Sequence, residues 1–336
     1  MYPQPITEWH QVDRATFDRE IRPRNQPAVL RGLVRHWPIV QQALQSDAAL
    51  CAYLAQHDSG HPVDAIMMAP AERGRIFYQT DMRGFNFLRN RVPISTVLEQ
   101  LTRYANFADP PTVALQSAAV LDAMPGFLAA QSMPLLDPQI MPRIWIGNRV
   151  TVPAHIDEAH NLACAVGGRR RFTLFPPEQV GNLYIGPLDF APTGAPISLV
   201  DFRAPDLQRF PRAAAALAVA QVAELEPGDA IYIPTLWWHH VESLADVNVL
   251  VNYWWGGSIG NLDRAHSPMD AMLHALLSLQ SAEPAVRAAW QAMFAHFVFG
   301  EDAAAHIPVA RRGVLGEMSA DARAALCKRL ADKLGG

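Results

Sequence analysis

Val152-Pro153-Ala154-His155-Ile156-Asp157-Glu158 sets an imidazole and a carboxylate two positions apart. In an extended chain residues i and i+2 share a face, so His155 and Asp157 reach one metal ion with no bend in the backbone. A second stretch, Leu236-Trp237-Trp238-His239-His240-Val241-Glu242, begins its histidine pair 84 residues beyond His155. Adjacent residues of a strand point to opposite faces, so only one of His239 and His240 joins the first pair, and local sequence leaves open which. Two imidazoles and one carboxylate are the donor set of non-haem iron(II) oxygenases, which keep the remaining coordination positions open. Each residue also has a plainer reading, His155 as a hydrogen-bonded core histidine and Asp157 as a turn former. A lone His-x-Asp arises by chance; one in β-rich sequence, followed by a strand-borne histidine, is more specific.

The surroundings are β-rich. Short apolar and β-branched runs recur at Arg143-Ile144-Trp145-Ile146, Asn161 to Val166, Arg171 to Phe175, Ala230 to Ile233 and Asn248 to Trp255. Pro176-Pro177 stops one run because proline cannot donate to a ladder. Glu226-Pro227-Gly228-Asp229 is a turn signal, with proline at i+1 and glycine supplying positive φ at i+2. Many short strands separated by turns predict a β-barrel or jelly roll over residues 112–258. Before it, residues 1–111 mix short helical patterns with extended pieces and are expected to pack on the barrel. Helical spacing is seen at Ala15 to Ile21, Trp37 to Leu54 and Ser95 to Tyr104, the last with Ser95 or Thr96 as cap. After it, residues 259–336 turn helical. Ser267-Pro268-Met269-Asp270 is a helix start, and further helices are expected over Ala285 to Phe297 and from Ser319 to Lys333. Trp237 and Trp238 read as barrel packing rather than a substrate cage.

Composition narrows the class. Over 336 residues, half are hydrophobic and 18% charged, and the net charge is -4, so no electrostatic footprint for nucleic acid stands out. Cys51, Cys164 and Cys327 are sparse, odd in number and without CxxC spacing, which points to a reducing compartment and no disulfide framework. The first residues lack a basic segment followed by an apolar run, and no stretch approaches a membrane span. A cytoplasmic protein is the expectation.

PAHIDEAHNL, GRRRFTLFPPEQ, EPGDAIYIPTLWWHHVESL and NVLVNYWW, together with Asn25 to Gly32 and His36-Trp37-Pro38, resemble the JmjC-like (cupin-8 type) hydroxylases. That group includes the asparaginyl hydroxylase called factor inhibiting hypoxia-inducible factor. The resemblance covers most of the chain and implies a double-stranded β-helix core with flanking helices and a helical C-terminal segment. It also implies iron(II) as metal and 2-oxoglutarate and O2 as cosubstrates. By it, the metal ligands are His155, Asp157 and His239, which selects the first of the histidine pair. Arg170 matches the basic residue that grips the far carboxylate of 2-oxoglutarate, where lysine is commoner. A guanidinium matches a carboxylate bidentately but needs more room. Asn161, Asn252 and Trp254 match positions beside the metal and cosubstrate, and Gln116 a polar position toward the substrate.

Two matches depart from the asparaginyl hydroxylase. Its cosubstrate-binding tyrosine and threonine fall on Ala114 and Val152, so Thr151, Tyr78 and Tyr232 become candidates to supply the missing hydroxyl. The implied activity is hydroxylation of a protein side chain, with an RNA base or a small metabolite as other substrates. Arg75 to Tyr78 and Asp81 to Phe87 are candidate substrate contacts. Rival readings are a cupin that binds a ligand or partner without turnover and a different metallo-cupin needing no 2-oxoglutarate. The terminal helices resemble the segment through which relatives dimerise, so a homodimer built on residues 267–334 is expected.

Overall fold

The computed structural model describes residues 3–256 and 267–334. It forms two compact units, Met1–Arg264 and Ala265–Gly336. The expected boundary at residue 258 lies outside the described residues.

Fourteen described strands build the first unit. They are β1 (Gln4–Pro5), β2 (Glu8–His10), β3 (Ala28–Arg31), β4 (Val63–Met68), β5 (Leu88–Val92), β6 (Thr112–Ala119) and β7 (Arg143–Gly147). They continue with β8 (Thr151–His155), β9 (His160–Gly167), β10 (Arg170–Phe175), β11 (Gln221–Leu225), β12 (Ala230–Ile233), β13 (Trp238–Ser243) and β14 (Asn248–Trp255). One sheet runs β1-β11-β10-β13-β8 and the other β2-β3-β12-β9-β14-β7-β6-β4-β5. Within them, β11-β10-β13-β8 and β12-β9-β14-β7 are the two four-stranded halves of a cupin jelly roll. Strands from before residue 112 extend the larger sheet on both sides, so residues 1–111 share the barrel's hydrogen-bond ladder instead of only resting on it.

Alternation assigns each strand's faces. On β9, Leu162, Cys164 and Val166 pack with Trp37, Leu50 and Leu54 under the helices. Ala163 and Ala165 face inward, with Ile231, Leu250, Phe172, Leu174 and Val241 from both sheets. A strand covered on both faces is apolar throughout, which is why this run carries so little polar alternation. Trp237 and Trp238 are buried in packing clusters, as expected.

Helix boundaries differ from the spacing in three places. Trp37 to Leu54 is two helices, Pro38–Ala43 and Asp47–His57, because Ser46 caps the second by accepting from Ala49 N at 3.1 Å. The helix Ile94–Tyr104 uses neither Ser95 nor Thr96 as cap; Asp58 accepts from Ser95 N at 2.8 Å, a tertiary cap invisible in local sequence. Ala15 to Ile21 holds an α turn, Arg14–Thr16, and a π segment, Phe17–Ile21. The Glu226–Asp229 turn is as read, with Gly228 at φ +106°.

In the second unit the helices Pro268–Leu279, Pro284–Phe297 and Ala320–Leu334 match the expected positions, and Ser267 caps the first by accepting from Met269 N. They bury no residue fully and leave Leu277, Trp290, Phe297 and Phe299 exposed. Among the described residues, no helix is long and apolar enough to cross a membrane.

Candidate metal centre

His155, at the end of β8, pairs directly with His239 near the start of β13. The pairing shifts register between His239 and Val241, where Pro153 and Ala154 of β8 oppose His240 alone. Such a bulge accommodates a proline that cannot donate to the ladder and re-aims the residues that follow. Asp157 lies just past the strand, where its carbonyl accepts from Leu236 N at 3.0 Å; Leu236 holds a left-handed φ of +64° to make that contact. The metal-binding atoms of His155, Asp157 and His239 all lie within 4.8 Å of one another. His239 Nε2 is 3.6 Å from Asp157 Oδ2.

Both imidazoles are set for a metal. His155 Nδ1 is 2.9 Å from the Pro153 carbonyl and His239 Nδ1 is 3.0 Å from the Trp237 carbonyl. A carbonyl only accepts, so each Nδ1 carries the proton and each Nε2 presents its lone pair. Burial, and then the neighbouring His239, hold His155 below the ordinary histidine range and keep it the neutral ligand. Asp157 Oδ2 accepts from Asn161 Nδ2 and from Trp254 Nε1, both at 2.9 Å. Asn252 Nδ2 in turn donates to Asn161 Oδ1 at 2.9 Å, so β9 and β14 together orient the carboxylate. His240 points to the other sheet face, edge-on to Phe202. Burial pushes it down to about 3, and neither ring nitrogen has a hydrogen-bond partner among the described residues.

All eight residues singled out in the sequence line one cavity of about 210 Å³: His155, Asp157, His239, Arg170, Asn161, Asn252, Gln116 and Trp254. At ~30 Å³ per water that is room for about seven waters, enough for a small diacid and below the usual range for larger ligands. Arg170 sits opposite Ser243, four residues along β13 from His239. At ~3.3 Å per residue its backbone is roughly 13 Å deeper than the metal ligands. Arg170 is buried, its Nε has no partner among the described residues, and burial alone lowers its pKa to about 10. A buried cation without a counter-ion fits an incoming carboxylate. The donor set therefore suits iron(II), and the orphaned guanidinium suits a diacid.

The candidate hydroxyls lie elsewhere. Tyr78 donates to the Phe190 carbonyl at 2.8 Å, and the Tyr232 hydroxyl is 3.1 Å from His160 Nδ1. Thr151 faces away, with Arg203 Nη1 at 3.3 Å from its Oγ1, as alternation implies. Val152 lines the cavity, whereas Ala114 packs among Ile66, Met68, Ile76 and Val150. Arg75 to Tyr78 and Asp81 to Phe87 do not line it either. Phe85 stacks on Phe87 and Phe190, and this aromatic cluster borders the loop that brings Thr193 and Ala195 to the cavity.

Trp145, Ser117 and Thr193 went unnoticed in the sequence. Across β6 and β7, Gln116 and Ser117 together oppose Trp145, and Ser117 takes a left-handed φ of +48°. This bulge brings both residues to the cavity rim. Only the alternation of Arg143-Ile144-Trp145-Ile146 could have signalled that Trp145 faces inward.

The sequence profile of the cupin-like domain matches residues 14–261. The chain belongs to the cupin-like family. Its cupin-like relatives include the lysine-specific demethylase JMJ31 of Arabidopsis thaliana, 34% identical over 39% of this chain and 22% of that protein. Human HSPB1-associated protein 1 is 35% identical over 44% of this chain and 30% of its own length. The tRNA wybutosine-synthesizing protein 5 of Danio rerio is 26% identical over 73% of both chains. The chain thus spans under a third of the first two relatives. JmjC-type cupins typically use iron(II) and 2-oxoglutarate, and the histidine-histidine-aspartate set is in place here.

Proposed function

We propose that this cupin-like chain is an iron(II)- and 2-oxoglutarate-dependent oxygenase that hydroxylates a protein side chain. The observation that carries the reading is the buried Arg170, whose Nε has no partner among the described residues, in the cavity that holds His155, Asp157 and His239. When bound, iron(II), 2-oxoglutarate and O2 supply oxidative decarboxylation to succinate and carbon dioxide, one oxygen atom of O2 entering succinate and the other a C–H bond. His155, Asp157 and His239 would hold the metal and leave adjacent positions open. Asn161 and Trp254 keep the carboxylate turned to it through its Oδ2. Arg170 would fix the diacid's far end, and Phe172, Val241 and Leu250 exclude water along its length.

Support for a polypeptide substrate comes from the groove beside the cavity. The groove, about 600 Å³, shares Gln116 and Ser117 with the cavity and runs along β5, the edge strand of the larger sheet. Arg89, Arg91 and Arg143 alternate there with Asp64 and Asp122, a mixed lining that suits an extended polypeptide better than a phosphodiester chain. Two copies are proposed to associate through residues 267–334. A specific observation favours a second reading, ligand binding without turnover: neither Ala114 nor Val152 carries a hydroxyl for the cosubstrate.

The test is succinate formation by anaerobically prepared protein given iron(II), ascorbate, 2-oxoglutarate and oxygen, against His155→Ala. Succinate from the wild type alone supports the oxygenase. Metal-loaded protein that binds no 2-oxoglutarate would remove it and leave the binding module.

A further inference from the structure

The cavity holds a second orphaned donor. Trp145 Nε1 is buried and has no hydrogen-bond partner among the described residues. Together with Arg170 Nε it is one of two unpartnered donors among the described residues lining this cavity, where Asn252 Oδ1 is an unpartnered acceptor, since the nitrogens of His240 lie on the other face of β13. Buried N–H groups are rarely left unpaired, and each that is asks for an acceptor.

Register places the backbone of each donor four residues from the level of the metal centre. Trp145 pairs with Leu250 on β14, four residues along from Trp254, whose indole bonds the metal-side carboxylate. Arg170 is likewise four residues along β13 from the level of His239. Both line the cavity together with Val152, Phe172, Val241 and Leu250, which supply no polar atom from their side chains. Every hydroxyl weighed for the cosubstrate is committed elsewhere or faces away. An acceptor with several lone pairs, arriving between a guanidinium and an indole N–H, satisfies both.

We infer that Trp145 donates its indole N–H to the distal carboxylate of 2-oxoglutarate, in place of the hydroxyls absent at Ala114 and Val152. The inference rests on the cosubstrate reading above, and adds that Arg170 does not act alone. Hydrogen bonds to a charged group in an apolar pocket are the strong ones, so losing this one should cost about tenfold in affinity or more.

Calorimetric titration of the zinc-loaded protein with 2-oxoglutarate and with 2-oxopentanoate tests it. The second acid has the same five carbons and 2-oxo acid end but no distal carboxylate. Trp145→Phe should bind 2-oxoglutarate about tenfold or more weakly than wild type, with metal affinity and 2-oxopentanoate binding unchanged. Equal loss for both acids would make Trp145 a packing residue, and no loss for either would leave it without a role; both overturn the inference while leaving the cosubstrate reading intact. Wild type that fails to prefer 2-oxoglutarate overturns the two together. Should the phenylalanine variant not fold, the wild-type protein still reports. The indole ¹H–¹⁵N resonance of Trp145, assigned through bonds, should move downfield with 2-oxoglutarate and stay with 2-oxopentanoate; a resonance unmoved by 2-oxoglutarate also overturns the inference.

Discussion

Replacing Trp254 by phenylalanine removes one of the two hydrogen bonds that Asp157 Oδ2 accepts and keeps most of the ring's apolar surface. A hydrogen bond to a charged acceptor contributes about 1.5–3 kcal/mol. The carboxylate is only partly buried and retains Asn161, so the low end applies, about 1.5 kcal/mol or roughly tenfold in metal affinity. Asn161→Ala removes the other donor and also strands the amide of the buried Asn252, which donates to Asn161 Oδ1. Its loss should reach about 3 kcal/mol, or roughly a hundredfold, within the range known for partners of metal ligands. Competition with a chromophoric chelator for cobalt(II) or manganese(II) under nitrogen measures both. The expected order is wild type, then Trp254→Phe, then Asn161→Ala. A Trp254→Phe protein within twofold of wild type, or weaker than Asn161→Ala, would refute the idea that these donors orient the carboxylate.

Three further outcomes are expected. His239→Ala should lose metal affinity by ~100-fold or more, whereas His240→Phe should stay within about threefold and melt no lower than wild type, because the imidazole it replaces is buried with no hydrogen-bond partner among the described residues; chelator competition and thermal melts decide. His160 Nδ1 faces the Tyr232 hydroxyl and the Thr235 N–H, and burial, then Arg22, lower its pKa from 6.5. The fold thus favours the neutral ring, so its contribution is full above about pH 6.5, the unfolded value, and is lost as pH falls below it. Metal-free wild type should lose up to ~1 kcal/mol more than His160→Gln between pH 7.5 and 5.5 in urea melts, and parallel curves would count against this. Light scattering should return about 74 kDa, twice the chain's 37.0 kDa. Phe297→Glu, on an exposed apolar helix face, should shift the protein to the monomer, and a wild-type mass of 37 kDa at micromolar concentration would end the dimer proposal.

Local sequence sufficed where one strand's period decides the matter. His155 and Asp157 share a face because they are two apart, and the β9 run is apolar because both its faces are covered. Helix capping was legible where the cap is local, as at Ser267, and misread at Ser95, where the cap is Asp58 from another segment. The inward direction of Ser117 was likewise out of reach, because a bulge is a mismatch between two strands and neither strand alone contains it.

The sequence by itself determined a β-rich chain with a His-x-Asp pair and a later pair of adjacent histidines, and its resemblance to a family implied which histidine and which basic residue join them. Tertiary structure alone decided the rest. The pairing of β13 with β8 sets His239 opposite His155 and turns His240 away. The packing of two sheets leaves Arg170 Nε and Trp145 Nε1 without acceptors among the described residues, in one cavity. Spacing along a chain says which residues share a face, whereas burial without a partner depends on what the other sheet brings to that face.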